Sequence, residues 1–229
     1  MPIVKTHQLS KVYNPETVPV HALRDVSISI EKGEFTSIVG PSGSGKTTLL
    51  NMMGGLDKPT SGTVSVNNTV ITDLSDGKRI DFRLWNIGFV FQHYNLIPVF
   101  TARENVSFIM LLQHRNKKEI ERRANELLDE VGLGDRKDAR PARLSGGQQQ
   151  RVAVARALAS EPKFILADEP TANLDSTAAM NLLDIMLRMN TEKNVTFVFS
   201  THDHRVIERA RRVITMIDGA IDEDKYNET

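Results

Sequence analysis

The most informative segment of the chain is Gly40-Pro41-Ser42-Gly43-Ser44-Gly45-Lys46-Thr47. It matches in full the phosphate-loop pattern G-x-x-x-x-G-K-[ST], whose glycines let the backbone curl until successive amide hydrogens point at phosphate oxygens. The β-rich run Phe35–Val39 precedes the loop, and a helical pattern over Lys46–Met53 follows it. This strand–loop–helix context is the one that phosphate binding requires. The sequence therefore predicts a nucleotide-binding α/β domain.

The loop and the start of its helix supply one set of candidate binding residues: Ser42, Gly43, Ser44, Gly45, Lys46, Thr47 and Thr48. Lys46 is expected to reach the β- and γ-phosphates, and the Thr47 hydroxyl is suited to ligate Mg²⁺. The helix that begins at this point adds the positive end of its dipole to the site. The predicted ligand is therefore a nucleoside triphosphate together with Mg²⁺.

An acidic pair, Asp168 and Glu169, directly follows the apolar run Phe164–Ala167. An apolar strand that ends in carboxylates places them at the C-terminal edge of a parallel sheet, where open α/β folds bind their ligands. Asp168 is suited to hold Mg²⁺ through water, and Glu169 can polarise an attacking water. Such a pair taken alone is more often an ordinary strand-end turn, but the phosphate loop upstream favours a catalytic interpretation.

Composition narrows the class of protein. The 229 residues contain 40% hydrophobic side chains and no cysteine, which excludes disulfides and thiolate zinc sites. Lys+Arg and Asp+Glu both number 29, so no basic footprint suggests a nucleic-acid partner. No apolar run approaches the roughly 20 residues that span a bilayer, and residues 1–10 lack a signal-peptide core. We expect a cytoplasmic protein that meets a membrane only through a partner.

Strand and helix signals divide the chain into parts. Strand patterns dominate the first third, helical patterns replace them over residues 93–143, and strands and helices then alternate up to Ile217. Alternation of this kind predicts a mainly parallel sheet covered by helices. We expect one domain over residues 1–229, with residues 1–92 and 144–229 as the nucleotide-binding core and 93–143 as a helical insertion. The polar tail from Asp222 is expected to fray.

A third motif, Leu144-Ser145-Gly146-Gly147-Gln148, opens the predicted helix that ends at Ala159. It offers a second helix N-terminus rich in glycine, although a simple Ser/Gly cap would be the usual interpretation of such a segment alone. With this pentapeptide the sequence resembles the ABC ATPase family, whose signature it is, over essentially the whole chain. The resemblance implies ATP as the nucleotide. It also implies an α/β fold: a P-loop NTPase (RecA-like) core with an N-terminal antiparallel β-subdomain and an inserted α-helical subdomain.

The resemblance assigns further roles one residue at a time. Gln92 is similar to the family's Q-loop glutamine, which contacts Mg²⁺ and the attacking water. His202 is similar to the switch histidine that contacts the γ-phosphate, and Asp175 to the D-loop aspartate. Tyr13 is similar to the aromatic residue that stacks on adenine, although a tyrosine at a strand end is common. The expected catalytic residues are thus Glu169, His202 and Gln92, and the expected metal ligands are Thr47, Gln92 and Asp168.

The family pairs two ATPase domains head to tail, so that each phosphate loop faces the partner's signature segment across one ATP. This chain carries one copy of each motif. The resemblance therefore implies that Ser145, Gly147 and Gln148 bind nucleotide in trans, and that a second copy of the chain is a partner.

Several segments narrow the resemblance to the LolD/MacB group: Gly54–Gly62, Gly88–Gln92, Asn95–Pro98 and Thr171–Asp175. Ala172 stands where members of the group often have glycine, and Thr47 replaces the commoner serine but keeps the hydroxyl. The group works on integral-membrane permeases, which implies a position on the cytoplasmic face of the inner (plasma) membrane. Its members export lipoproteins, peptides or antibiotics, or transmit force.

The helical insertion is the family's docking surface for the permease. Phe100, Phe108 and Met110 lie in or near it, although apolar residues at such spacing are more often core. An ATPase that regulates a cell-wall hydrolase through a permease-like partner stays open as an alternative, because its sequence would look the same. The cargo is not encoded in a phosphate-binding domain.

Overall fold

A computed structural model describes residues 2–227, so the predicted domain limits at Met1 and Thr229 lie outside the described residues. The strands are β1 Pro2–Tyr13, β2 Val20–Val26, β3 Ser29–Glu31, β4 Phe35–Val39, β5 Ser61–Val66, β6 Thr69–Val70, β7 Ile87–Val90, β8 Phe164–Asp168, β9 Thr196–Ser200, β10 Arg212–Ile217 and β11 Ala220–Tyr226. The α-helices are α1 Lys46–Met53, α2 Asp76–Asn86, α3 Ala102–Leu112, α4 Lys117–Glu130, α5 Gly146–Ala159, α6 Ser176–Lys193 and α7 His204–Ile207. None of the helices in this described range is long and apolar enough to cross a membrane.

The larger sheet has six strands in the order β11-β10-β4-β9-β8-β7. Strands β10, β4, β9, β8 and β7 run parallel, and only β11 is antiparallel to its neighbour. The side chains of β9 are all buried, as expected for a strand covered by helices on both faces. The prediction of a mainly parallel sheet, made from the alternating strands and helices, is confirmed.

The smaller sheet is antiparallel and comes from the first third of the chain, in the order β2-β1-β5-β6 with β3 also paired to β1. Its hairpin between β5 and β6 turns at Asn67 and Asn68, which have φ angles of 47° and 66°. Two left-handed residues give the turn type that matches the twist of a two-residue hairpin, and asparagine tolerates that conformation. The alternating pattern of residues 63–70 predicts this hairpin around Asn67 and Asn68.

Residues between β7 and α5 form helices without a strand. A capping box at Thr101 and Glu104 starts α3. Helical spacing predicts one apolar face in the following segment, and the structure buries all of its members in α4 and at the C-cap of that helix: Ile120, Ala124, Leu127, Leu128 and Val131. Met110 is also fully buried, so the core interpretation holds for it and it lines no groove. Phe100 and Phe108 are half-buried, with ring centroids 5.7 Å apart. The limits of 93 and 143 for this subdomain stay a prediction.

Three local features differ from what the sequence pattern indicates. The apolar pattern of residues 88–92 predicts that Gln92 ends a strand, but β7 ends at Val90 and Gln92 lies two residues beyond it. The pattern of residues 205–211 predicts one helix, but α7 covers only His204–Ile207, because the Arg211 amide already donates to the Phe35 carbonyl beside the sheet. Helix α2 was not predicted, and none of its residues is buried. Its apolar side chains form no buried stripe that a sequence pattern could reveal.

The expectation of a frayed tail from Asp222 is wrong. Residues Ala220–Tyr226 form β11, which pairs along its length with β10. The Arg212 guanidinium holds this edge: it forms two hydrogen bonds of 2.8 and 2.7 Å to Asp224 and lies 3.2 Å from a carboxylate oxygen of Glu34. Its side chain is only 7% exposed. Opposite charges and a strand ladder outweigh the polar composition of the tail.

Replacing Arg212 by leucine is therefore expected to destabilise the fold. Arg212→Leu leaves two carboxylates without their shared cation, and we expect the free energy of unfolding to fall by about 3 kcal/mol. Urea titration followed by circular dichroism measures this change. The matched control is Lys225→Leu on the same edge, which removes an exposed pair with Glu223 and should change stability by about 0.5 kcal/mol or less. Equal, small effects of both substitutions would mean that the tail is not held by Arg212.

Candidate active site

A cavity of about 710 Å³ lies at the C-terminal edge of the parallel sheet, where α1 begins. This volume is in the range that holds a small ligand or cofactor. Its lining residues come from six separate segments: Tyr13, Val20, His21, Ala22, Gly40, Pro41, Ser42, Gly43, Gly45, Lys46, Thr47, Thr48, Gln92, Glu169 and His202. The structure thus brings the predicted loop residues together with Tyr13, Gln92, Glu169 and His202. Ser44 is buried beneath the loop instead of lining the cavity.

The loop between β4 and α1 keeps its shape through backbone geometry. Gly45 has φ +100°, and a Cβ atom at this position would overlap the Ala22 carbonyl oxygen. Only glycine meets both requirements without strain. Lys46 is 8% exposed, and its Nζ donates to the carbonyl oxygens of Gly40 and Pro41 at 2.8 and 2.9 Å. The loop therefore encloses a cation at the place where phosphate oxygens are expected.

Thr47 and Asp168 meet at the wall of this cavity. The Thr47 hydroxyl donates to both Asp168 carboxylate oxygens, at 3.0 and 3.1 Å. Burial raises the pKa of Asp168 above its ordinary value, while the nearby Ser200 hydroxyl and the hydrogen bond from Thr47 oppose that shift. A partly buried carboxylate with a raised pKa gains from a cation beside it. The pair is therefore a natural place for a positive ligand.

The oxygen donors at this wall fit Mg²⁺. A hydroxyl, a carboxylate and the Gln92 side-chain amide oxygen are all hard ligands of the type that Mg²⁺ prefers. Residues 2–227 contain no group of three His, Cys, Asp or Glu side chains that could hold a metal by themselves. In proteins Mg²⁺ usually completes its coordination with phosphate oxygens and water.

Glu169 leaves β8 in an unusual backbone conformation. Its φ angle is +46°, and its amide donates to the Ser200 carbonyl at 2.8 Å. A left-handed conformation is uncommon for a residue other than glycine. It turns the carboxylate toward the next loop, where one oxygen lies 2.8 Å from His202 Nδ1 and the other accepts from the Thr201 hydroxyl at 3.3 Å. The predicted base and the predicted switch histidine are therefore direct neighbours.

Gln92 is held by residues that the sequence analysis did not select. The Asn173 side-chain amide donates to the Gln92 carbonyl at 2.9 Å, and the fully buried Gln150 amide donates to the carbonyls of Phe91 and Pro170 at 3.1 and 2.9 Å. These bonds tie the segment after β7 to α5 and to the segment after Glu169. A glutamine on the buried face of a predicted helix was the available signal for Gln150.

The signature residues lie apart from this cavity. Ser145 caps α5 through a capping box with Gln148, and a Cβ atom on Gly147 would lie 2.8 Å from the Ala178 Cβ. Ser145, Gly147, Gln148 and Asp175 line a second, open cavity of about 260 Å³. Asp175 in turn caps α6, accepting from the Ala178 amide at 2.8 Å. Within one chain, the structure does not bring these four predicted residues to the phosphate loop.

Comparison with known proteins now adds to the geometry. The family model described as "ABC transporter" matches residues 23–172, which include the phosphate loop, the signature segment and the acidic pair.

The chain belongs to the ABC transporter family. A "Lipoprotein-releasing system ATP-binding protein LolD" of Legionella pneumophila (strain Lens) is 43% identical over 219 residues, covering 96% of each chain. A "Lipoprotein-releasing system ATP-binding protein LolD 1" of Chlorobium chlorochromatii (strain CaD3) is 47% identical over 228 residues, covering 99% of this chain and 91% of the relative. The predictions of an ABC ATPase, of its LolD-like relationship and of its ATP ligand are confirmed.

A solved ATP-binding cassette confirms the predicted fold class. That structure, described as dimeric, in a post-hydrolysis state and bound to ADP and Pi, matches with a TM-score of 0.91 at 42% identity and covers 99% of both chains. The parallel core, the antiparallel sheet from the first third of the chain and the inserted helices of this ABC ATPase are therefore those of an ATP-binding cassette.

Asp203 connects the His202 loop of this ABC ATPase to the segment that follows Glu169. Its carboxylate accepts from the Thr171 hydroxyl at 2.6 Å and from Arg205 Nε and Nη2 at 2.9 and 2.7 Å. The Arg205 hydrogen bonds, joined by that of Thr171, hold the pKa of Asp203 at about 2. Only 14% of the Asp203 side chain is exposed. The Asp203–Arg205 ion pair and the Thr171 hydrogen bond thus fix the loop that carries His202.

The low pKa of Asp203 makes its contribution to stability depend on pH. Because the folded pKa lies below the unfolded value of about 3.9, the contribution is complete above about pH 5 and is lost progressively as the pH falls toward 2. We expect Asp203→Asn to lower the free energy of unfolding by about 1 to 2 kcal/mol at pH 7, with a smaller difference at pH 3. Urea titrations at pH 7, 5, 4 and 3 measure it.

The matched control is Asp184→Asn, which removes an exposed carboxylate paired with Arg209. We expect it to change stability by about 0.5 kcal/mol or less at every pH. A penalty for Asp203→Asn that stays constant from pH 7 to pH 3 would contradict the assignment.

Proposed function

We propose that this chain is the ATP-hydrolysing motor of a LolD/MacB-like transporter, working as a head-to-tail dimer on a membrane permease. The observation that carries the proposal is the division of the site within one chain. The 710 Å³ cavity holds the phosphate loop, Glu169 and His202, while Ser145 and Gly147 lie in a separate cavity. A second copy that supplies its signature residues would complete the site.

We assign the chemistry of hydrolysis to side chains that meet in the larger cavity. Lys46 neutralises charge on the β- and γ-phosphates, and Glu169 accepts a proton from the attacking water. His202 contacts the γ-phosphate, and its hydrogen bond with Glu169 links the position of the phosphate to that of the base. Gln92 orients the water from the opposite segment. For each of these roles the side chain only has to rotate, because all four of these residues already line the cavity.

Thr47, Asp168 and Gln92 are the residues that would hold Mg²⁺. The ion would neutralise charge that develops on the β- and γ-phosphate oxygens. The Thr47–Asp168 hydrogen bond joins two of its proposed ligands in the described state, so both are already near each other.

ATP binding would drive dimerisation by mass action. ATP bound between the phosphate loop of one copy and Ser145 of another favours the closed pair, and hydrolysis to ADP relaxes it. The signature helix presents its N-terminus at an open cavity, with Ser145 exposed. A helix N-terminus of this kind favours a phosphate group. The dimeric cassette with ADP and Pi among the structural neighbours supports this assembly.

We propose that the helical subdomain of residues 93–143 docks the permease, which would place the chain on the cytoplasmic face of the membrane. The Gln113 side-chain amide donates to the Leu84 carbonyl, so the ends of α2 and α3 lie side by side. Trp85, Leu111 and Leu112 next to this contact are 49%, 55% and 47% exposed. Large apolar side chains exposed in one area mark an interaction surface, here called the α2–α3 surface.

The relatives named LolD favour a lipoprotein-releasing system over other members of the group as the type of transporter. No feature of the described residues favours the alternative, an ATPase that regulates a cell-wall hydrolase. Cargo contacts would belong to the permease, because the 710 Å³ cavity would hold the nucleotide and the 260 Å³ cavity would serve the dimer.

Glu169→Gln tests catalysis and dimerisation together. The amide keeps the size of the side chain but accepts a proton poorly, so we expect ATP turnover to fall by about 100-fold or more. ATP binding should persist, and the unhydrolysed nucleotide should trap a dimer visible by size-exclusion chromatography with ATP and Mg²⁺. The matched control is Glu161→Gln, which makes the same substitution at an exposed glutamate and should leave turnover unchanged.

Adding Lys46→Ala to the Glu169→Gln variant removes the cation that holds the phosphates. We expect this double variant to lose both ATP affinity, measured by calorimetry, and the ATP-dependent dimer. Unchanged turnover in Glu169→Gln would refute the role of Glu169, and a monomer at saturating ATP would refute the composite site.

Leu111→Glu tests the docking surface. Placing a charge in an apolar contact desolvates it without a partner, so we expect co-purification with a co-expressed permease partner to fall about tenfold or more. The basal ATPase of the isolated chain should not change. Ile217→Glu, which alters an exposed apolar residue at the end of β10, is the control for added charge. Full co-purification of Leu111→Glu would place the permease elsewhere.

A further inference from the structure

Tyr13, the last residue of β1, lines the nucleotide cavity with its ring fixed from the outside. Its hydroxyl donates to a carboxylate oxygen of Asp57, in the loop after α1, at 2.9 Å. Burial and the neighbouring Asp57 raise the pKa of Tyr13. The hydrogen bond sets the tilt of the ring.

Lys11 closes this arrangement into a triangle. Its ammonium lies 4.7 Å from the centroid of the Tyr13 ring and 3.0 Å from Asp57, and it also donates to the Lys58 carbonyl at 2.7 Å. Only 13% of the Lys11 side chain is exposed, although lysine usually keeps its ammonium in water. Each of the three side chains therefore contacts the other two.

Tyr13 lines the cavity, whereas Lys11 is not among the lining residues within 2–227. The Lys11 ammonium would therefore act on a bound ligand through the Tyr13 ring. A cation over an aromatic face is attracted by the ring quadrupole and fixes the position of the ring. An aromatic ring that is already fixed loses less conformational entropy when a nucleobase stacks on it.

Stacking carries much of the base recognition that this end of the cavity offers. The other residues that the β1–β2 region contributes to the lining are Val20, His21 and Ala22. None of these four lining residues brings a carboxylate or an amide side chain that could read the edge of a base. Affinity for the base therefore depends on how well the ring is placed.

We propose that Lys11 and Asp57 are positioning residues that hold Tyr13 as a stacking platform for the nucleobase. This inference rests on the proposed function only in that Tyr13 contacts the base of the bound nucleotide. Lys11 and Asp57 act through the ring and contact no reacting atom. Their removal should weaken binding of a nucleotide but not binding of the phosphates alone.

The test compares ADP with pyrophosphate, because both occupy the phosphate loop and only ADP carries a base. For Lys11→Met we expect calorimetry to show a dissociation constant for ADP about three- to tenfold higher, with pyrophosphate affinity unchanged. In ATP hydrolysis the KM should rise while kcat stays the same. Lys11→Arg, which keeps the cation and the ion pair, should restore most of the ADP affinity.

Two further variants separate positioning from general damage. Lys58→Met removes a neighbouring exposed lysine that pairs with Asp76, and it should leave both affinities unchanged. In a Tyr13→Ala background, Lys11→Met should have no further effect on ADP binding, because the ring through which it acts is gone. Thermal unfolding midpoints of all variants identify any that fold poorly, and Asp57→Asn then serves as the second route to the same loss.

The outcomes are distinguishable. If Tyr13→Ala weakens ADP binding and Lys11→Met does not, the positioning role is refuted while the nucleotide site stands. Equal losses of ADP and pyrophosphate affinity in Lys11→Met would mean that Lys11 supports the whole loop, which also refutes the inference. Unchanged ADP affinity in Tyr13→Ala would show that Tyr13 does not contact the base, and the proposed role of Tyr13 would fail with it.

Discussion

The parallel pairing of β4, β9 and β8 is the constraint on which the site depends. In register, Phe35 lies opposite Phe197 and Phe164 opposite Thr196, so all three strands end at the same edge. The loop after β4 carries Lys46, the residue after β8 is Glu169, and the loop after β9 carries His202. Thr47 and Asp168, which are 121 positions apart in sequence, form a hydrogen bond because β4 and β8 end at the same edge of the sheet. Without that ladder, each motif would be an isolated turn.

Two charged side chains of the cavity, Lys46 and Glu169, have hydrogen-bond partners within the chain. Lys46 donates to two loop carbonyls, and the Glu169 carboxylate is engaged by His202 and Thr201. Buried charged groups without partners would cost several kcal/mol, so these internal bonds stabilise the charged side chains that line the cavity. A ligand group that bonds to Lys46 or Glu169 has to compete with these internal partners. Its net contribution is therefore smaller than the strength of the new bond alone.

The sequence predicted the parts of the fold whose signals are local. Helix α1 and strand β4 have the predicted limits, since a glycine-rich loop between an apolar strand and a helix leaves few alternatives. Two parts required tertiary information. Helix α2 buries none of its residues, and β11 is polar but is held by Arg212 from the neighbouring strand. Helical periodicity places Gln150 on a buried face, but it does not identify the partners of this side chain, the carbonyls of Phe91 and Pro170 in distant segments.

Those distant contacts bear on how a permease could influence hydrolysis. Arg156 of α5 donates to the carbonyls of Tyr94 and Asn95, both left-handed residues just after Gln92, at 2.8 and 2.5 Å. Gln150 of the same helix holds the segment before Gln92. The signature helix is therefore bonded to the backbone on both sides of Gln92, which lines the 710 Å³ cavity. A displacement of α5 relative to the parallel sheet would shift the Gln92 segment with it, and linkage requires that ligand binding at Gln92 bias the same displacement in return.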